Sequence, residues 1–421
     1  MVPCRVCKNT ETTKFLSLGN TPLANSFLRP DQLDKPQACY PLDVVFCSQC
    51  GLVQLGHAVS PEVMFRDYIY VSSTSDTMTA HFSAYAEEIV AQFVSSPNDL
   101  VLEIGSNDGC LLRAFRKDQV RAVGIEPAAN IAERANAAGI KTFNDFFCTR
   151  SAREIKEREG AAQIIIGNNV LAHIADLHDT VAGLQALLAK DGIAIFEVPY
   201  LIDLLQKDEF DTIYHEHVSY FAIRPLQRLF DLWGLQIFDV KRVPVHGGSV
   251  RVYVQRVGAS RSVLPSVEIL LSVEKTNRLG SLETYSAFAV RVEKMKQELT
   301  GLLRSLKTSG ARIAGYGAPA KGNTLLNHFQ IGSDLIEFIV DRSPYKHGMY
   351  TPGSHIPVTP VEMLLKEQPD YVLLLAWNFA DEVIAQQREY LKRGGHFIVP
   401  IPQPKVIGEK SRAIEVVDVQ P

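Results

Sequence analysis

Seven cysteines occur in the 421 residues, and four of them form two pairs, Cys4-x-x-Cys7 and Cys47-x-x-Cys50. A C-x-x-C turn places both sulfurs on one face. Two such turns close a tetrahedron around zinc with Zn–S bonds of about 2.3 Å. The gap of 39 residues between the pairs is longer than in compact ribbons, and it holds Ser17-Leu-Gly-Asn-Thr-Pro-Leu-Ala-Asn-Ser-Phe. Gly51 and Asn9 supply small residues at the turns. Four unrelated reduced thiols, or a redox pair, are the alternatives. A zinc held by Cys4, Cys7, Cys47 and Cys50 has no open position, so its expected role is structural. His57 reads as a packing or surface residue. Cys39, Cys110 and Cys148 are scattered, and the odd total fits a disulfide framework poorly.

A second cluster is Tyr214-His-Glu-His. Imidazoles have the pKa for proton transfer near neutrality, and a carboxylate can orient one. The spacing does not match H-E-x-x-H. Read as a strand, it puts His215 and His217 on one face and Tyr214 and Glu216 on the other. A metal site or a hydrogen-bonded structural corner remain alternatives.

A third group is Glu103-Ile-Gly-Ser-Asn-Asp-Gly-Cys. It is neither a Walker loop nor G-x-G-x-x-G. Gly105 and Gly109 allow close backbone approach, with Ser106 and Asn107 between them, and Glu103 and Asp108 add negative charge. A pyrophosphate is disfavoured there; a sulfonium carrying an α-ammonium is not. Glu126, 21 residues past Gly105, sits where a carboxylate grips ribose hydroxyls in doubly wound folds. These features point to S-adenosylmethionine. Asn168 and Asn169, at the end of a later apolar run, are expected to line the donor, and His173 to face a substrate or pack in the core.

Further on, Val245-His-Gly-Gly-Ser precedes a strand, bringing backbone near a ligand or making a turn. Gly315-Tyr-Gly-Ala-Pro-Ala-Lys-Gly fits G-x-G-x-x-A, and Asp341 lies 21 residues past Ala320. This resembles a dinucleotide fingerprint. Pro319 inside the turn and the donor site upstream favour a nucleotide-diphosphate or substrate cradle using Lys321. A nicotinamide site and a structural vestige are the alternatives.

These residues need elements to hold them. Apolar runs begin near residues 99, 121, 163 and 192, with helical patterns at 128–138 and 176–190 between them. Strands alternating with helices predict a parallel, doubly wound sheet. Strands are also expected at 235–243 and 249–256, a helical stretch over about 60–95, and one long amphipathic helix over 266–308. A second α/β unit follows, with strands near 311, 336, 371 and 396. The fold class is therefore α/β, with a metal lobe in front. Hydrophobic residues make up 46% of the chain, charged residues 21%, and the net charge is −4. That balance disfavours disorder and nucleic-acid binding. No apolar run reaches the ~18 residues of a membrane span. The start lacks a signal-peptide pattern, so a cytoplasmic location is expected.

The cysteine knuckle with Ser17-Leu-Gly-Asn-Thr-Pro-Leu-Ala-Asn, the Glu103–Gly109 turn, Tyr214-His-Glu-His, His246-Gly-Gly-Ser and Gly315-Tyr-Gly-Ala-Pro-Ala-Lys-Gly-Asn occur in one order. In this the chain resembles the S-adenosylmethionine-dependent C-methyltransferases that act on nucleotide-linked keto-deoxysugars. The resemblance implies a zinc-binding lobe (1–60), a Rossmann-like class I methyltransferase core (61–265) and a second Rossmann-like α/β C-terminal domain (266–421). It implies a dTDP-linked keto-deoxysugar lying between the last two, touching His246, Gly247, Tyr316, Lys321 and Asn323. It matches His217 to the proposed general base, Tyr214 and Glu216 to its cluster, and His173 and Tyr68 to substrate-side residues. Expected partners are the sugar nucleotide alone, in a monomer or weak homo-oligomer. An O- or N-methyltransferase, a nicotinamide-dependent sugar reductase and a zinc-knuckle binding module with a degenerate core are rival readings.

Overall fold

The computed structural model describes residues 2–65, 76–117, 120–245 and 247–409. The expected residues Tyr68 and His246 lie outside them. Three sheets organise the described residues. Strands β1 (Thr12–Pro22), β2 (Cys39–Cys47) and β3 (Val53–Leu55) pair antiparallel behind the cysteines.

The central sheet contains β4 (Leu100–Ile104), β5 (Arg121–Ile125), β6 (Thr142–Phe143), β7 (Ala162–Asn168) and β8 (Leu188–Pro199). The next strand, β9 (Ser219–Tyr220), leaves this sheet and pairs with β3, completing the first sheet as β1-β2-β3-β9. β10 (Leu235–Val243) and β11 (Ser249–Arg256) return to the centre, giving the order β10-β11-β8-β7-β4-β5-β6. From β6 to β8 the pairs are parallel; β11 runs antiparallel to both neighbours. All of β4 is buried, as a strand covered on both faces must be. The strand order reverses between β4 and β7, so a ligand crevice opens at their carboxyl ends.

The third sheet holds β12 (Ile313–Tyr316), β13 (Ile339–Val340), β14 (Val358–Thr359), β15 (Tyr371–Leu374), β16 (His396–Val399) and β17 (Lys405–Ile407). Its order is β14-β13-β12-β15-β16-β17, with only the last pair antiparallel. Its switch point lies between β12 and β15.

The stretch expected as one helix over 266–308 is two, Pro265–Thr276 and Leu282–Thr308. Arg278 takes φ 56° between them, a left-handed conformation that ends a helix. The longer helix buries Tyr285, Phe288, Val292, Met295, Leu299 and Leu303 at intervals of three and four. Tyr285 packs 4.6 Å from the Phe46 ring and 5.1 Å from Phe15, clamping the first sheet. The helical stretch expected over 60–95 is described as Pro61–Phe65 and Asp76–Phe93. Among the described residues no helix is long and apolar enough to cross a membrane.

Candidate active site and metal centre

The four cysteines converge. Cys4 Sγ lies 3.4 Å from Cys50 Sγ, Cys7 Sγ lies 3.5 Å from Cys47 Sγ, and all four sulfurs fall within 4.8 Å of one another. A tetrahedron with 2.3 Å bonds has edges of about 3.8 Å, so the donor set fits zinc. Backbone bonds preform the turns: Lys8 N–H donates to Cys4 O at 3.0 Å and Gly51 N–H to Cys47 O at 2.8 Å. The Cys4–Cys50 hydrogen bond lowers the pKa of Cys4 and raises that of Cys50. His57 stands apart, stacked at 6.1 Å on Tyr40.

At the first switch point, Glu103 is the penultimate residue of β4 and the Gly105–Gly109 turn leads into the helix Cys110–Lys117. Gly105 and Gly109 have φ 63° and 75°, and a Cβ on Gly109 would meet Ile140 at 2.9 Å. Glu126 accepts Asn107 N–H and Ala128 N–H, each at 2.9 Å. It stiffens the turn while keeping lone pairs for hydroxyls. The Ser106 hydroxyl turns into the sheet against Gly124, where no Cβ would fit. Asp108 pairs with Arg113 at 3.2 Å. Among the described residues, buried atoms without hydrogen-bond partners gather here: Glu103 Oε2, Asp108 Oδ1, both amide atoms of Asn168 and Asn169 Oδ1. Burial, then the charges of Glu126 and Asp108, push the Glu103 carboxyl well above its usual range. Such a crevice is complementary to a cation with hydroxyls, and it fits S-adenosylmethionine.

Facing it, Tyr214-His-Glu-His forms a turn, closed by His217 N–H to Tyr214 O at 2.9 Å, and not the strand read from its spacing. The turn separates the two imidazoles. His215 is buried and reaches Tyr40 O at 3.1 Å, and burial lowers its pKa. His217 Nδ1 lies 2.8 Å from Thr212 O, and Nε2 lies 3.0 Å from Tyr214 Oη. A carbonyl only accepts, so Nδ1 carries a proton; in the neutral imidazole Nε2 then accepts from Tyr214 Oη–H. Glu216 accepts from Asn25 Nδ2 of the first lobe at 2.6 Å. The His173 ring stands edge-on to His217 at 4.9 Å. Burial pushes His173 down to about 4, so it is a neutral imidazole with Nδ1 unpartnered.

At the second switch point, Tyr316 is buried. Lys321 Nζ makes no hydrogen bond; it lies 3.8 Å from Glu209 and 5.5 Å from the Trp377 ring. Trp377 Nε1 donates to Asp211 at 2.6 Å. Gly247 packs against the Glu209 carboxylate. Asn323 is fully buried and donates to Ala24 O at 2.7 Å, fastening the C-terminal lobe to the first.

Sequence reasoning missed a buried charge cluster beside the donor crevice. Arg251 is 2% exposed, stacks 3.6 Å from the Tyr85 ring, and pairs with Glu197 at 2.8 Å and Glu88 at 3.2 Å. Burial opposes the Glu197 charge, but the His81 hydrogen bond at 3.3 Å and Arg251 outweigh it and hold the carboxyl low. An arginine inside the apolar run Ser249–Arg256 was the available signal.

Residues 4–65 match a family described as "Putative zinc binding domain", residues 78–240 a methyltransferase domain, and residues 244–402 a C-methyltransferase C-terminal domain. The chain is 40% identical over 408 residues to the C-methyltransferase NovU of Streptomyces niveus, covering 97% of each. This chain belongs to the C-methyltransferase family. As a member, the C-methyltransferase takes its methyl from S-adenosylmethionine and carries a zinc-binding lobe built on Cys4, Cys7, Cys47 and Cys50. Magnesium protoporphyrin IX methyltransferase of Synechocystis PCC 6803 with bound SAH is also similar, at 14% identity and TM-score 0.33, over 45% of this chain and 89% of that one. A methyltransferase solved with the Haloferax volcanii Trm112 activator gives 14% and 0.34, over 43% of this chain and 95% of that one.

Proposed function

We propose that the enzyme methylates the carbon next to the ketone of a dTDP-linked 4-keto-deoxyhexose, at C3 in preference to C5. The Tyr214–His217–His173 group carries this reading: a neutral imidazole with Nε2 as acceptor stands beside two groups able to donate to an oxyanion. S-adenosylmethionine, when bound, supplies an electrophilic methyl at Glu103, Gly105–Gly109, Glu126 and Asn168–Asn169.

His217 Nε2 takes the proton α to the ketone, and Thr212 O steadies the imidazolium through Nδ1–H. The enolate oxygen receives a hydrogen bond from Tyr214 Oη–H or from neutral His173. One preplaced donor is worth about 3–4 kcal/mol in the transition state. Glu216, held by Asn25, grips a sugar hydroxyl or the turn itself. The nucleotide lies against the start of the helix Ala320–Phe329, whose free amides suit a diphosphate, with His246, Gly247, Tyr316, Lys321 and Asn323 around it. Tyr68 is counted with the substrate-side residues on the family resemblance alone. The zinc lobe (1–60), the core (61–265) and the C-terminal domain (266–421) each contribute to this cleft, in a cytoplasmic enzyme.

The test is proton exchange without methyl transfer. With S-adenosylhomocysteine bound in D2O, the wild type is expected to exchange the C3 proton of dTDP-4-keto-6-deoxyglucose. His217→Asn is expected to lose exchange and to lower kcat about 10²–10⁴-fold, with S-adenosylhomocysteine affinity unchanged. Undiminished exchange in that variant removes His217 from the base role.

A further inference from the structure

Arg5 lies between the metal ligands Cys4 and Cys7, yet its side chain leaves the metal knuckle. It is 6% exposed, and Nη1 donates to Leu55 O at 2.9 Å and to Val218 O at 3.1 Å. Its backbone N–H is held by Gln54 Oε1 at 2.8 Å, and Gln54 Nε2 returns to Pro3 O at 3.2 Å. The guanidinium is therefore fixed at both ends.

Val218 is an unusual acceptor. Its carbonyl also receives Leu55 N–H at 3.0 Å, and its own N–H donates to Ala172 O at 2.7 Å. Val218 follows His217, and Ala172 precedes His173. One residue thus ties the two imidazoles of the cleft to β3 of the metal lobe. The strand that begins at Ser219 continues the tie, with Gln54 opposite Ser219 and Val53 opposite Tyr220. The planar Nη1 offers two N–H groups in fixed directions, one for each carbonyl.

We infer that Arg5 is a positioning residue, through which the cysteine knuckle sets the placement of His217 and His173 relative to each other. The metal lobe then acts on proton abstraction as well as on folding. The inference rests on the proposed base role of His217, and its test separates the two.

The test uses full-length, zinc-loaded protein labelled with ¹⁵N-histidine and saturated with S-adenosylhomocysteine, with kcat measured on dTDP-4-keto-6-deoxyglucose. Arg5→Met is expected to keep its zinc stoichiometry and its S-adenosylhomocysteine affinity. Its His217 and His173 ring signals are expected to shift, and kcat to fall about 10- to 100-fold with KM little changed, as misplacement of a reacting group requires. Arg5→Lys, which keeps the charge but loses the planar donor, is expected to fall between this variant and the wild type. Zinc-loaded Arg5→Met with unshifted ring signals and wild-type kcat would overturn the inference. If Arg5→Met does not fold, Arg5→Lys decides: unshifted signals and wild-type kcat overturn it there. His217→Asn is run alongside. Full activity in that variant defeats the base reading alone, and Arg5 is then judged on the ring signals.

Discussion

The two glycine-rich turns use one device and end in opposite states. In each, a carboxylate at the end of the second strand accepts an amide of the turn and a second amide two residues beyond itself. Glu126 takes Asn107 N–H and Ala128 N–H; Asp341 takes Ala318 N–H at 2.6 Å and Ser343 N–H at 2.7 Å. The first turn keeps unpartnered acid and amide atoms around it. In the second, the acid is answered from within. Lys346 Nζ lies 3.6 Å from Asp341, donates to Ala318 O at 2.9 Å, and rests 5.4 Å from the Phe27 ring of the first lobe. Its negative charge is already matched by this chain. The same scaffold thus leaves its acids open to a cation in one lobe and has its acid neutralised in the other, and the side chain that decides is a lysine.

The largest break in this contrast is expected from removing the two carboxylates in turn. Glu126→Ala should weaken S-adenosylhomocysteine by about 10²-fold in calorimetric titration, from two lost charge-assisted bonds. Asp341→Ala should leave that affinity alone and destabilise the fold by about 2–3 kcal/mol, because buried amides lose their acceptor. Equal effects on binding would end the distinction.

Protons give the next effect. Burial lowers His173 to about 4, below its usual value near 6.5. The unfolded chain therefore binds this proton first, and the stability His173 contributes is complete above about pH 6.5 and lost as pH falls toward 4. By pH 5 the loss amounts to about 2 kcal/mol. His173→Leu should remove that part of the slope in denaturant titrations at pH 7 and 5. His328, also held near 4 by burial, is common to both proteins and cancels. An unchanged slope would place His173 in a wetter setting than the structure has.

The smallest effect sharpens the comparison. Lys346→Met uncovers Asp341, and a cost of about 1 kcal/mol in thermal unfolding is expected for this partly buried pair, with no gain of NADH binding. Tight NADH binding by this variant would make the second turn a masked dinucleotide site.

Much of this was legible in the sequence because it is local. C-x-x-C pairs, glycines after an apolar run and strands buried on both faces announce themselves within a few residues. The helix break at Arg278 was not, since a left-handed non-glycine residue leaves little mark in a helical pattern. The Tyr214–His217 pairing was missed because alternation assumes a strand, and a turn brings i and i+3 together instead. Arg5 and Val218 are 213 residues apart, and no spacing rule reaches that far.

The pairing of β9 with β3 also bears on how the chain is made. The cysteines leave the ribosome early and can close their knuckle, but the strand that covers β3 is not synthesised until Ser219–Tyr220. Until then the nascent first lobe carries an open strand edge, the feature that templates misassembly. Most of the methyltransferase core must emerge before that edge is sealed, so the strand that follows His217 also serves as the cap that finishes the first lobe.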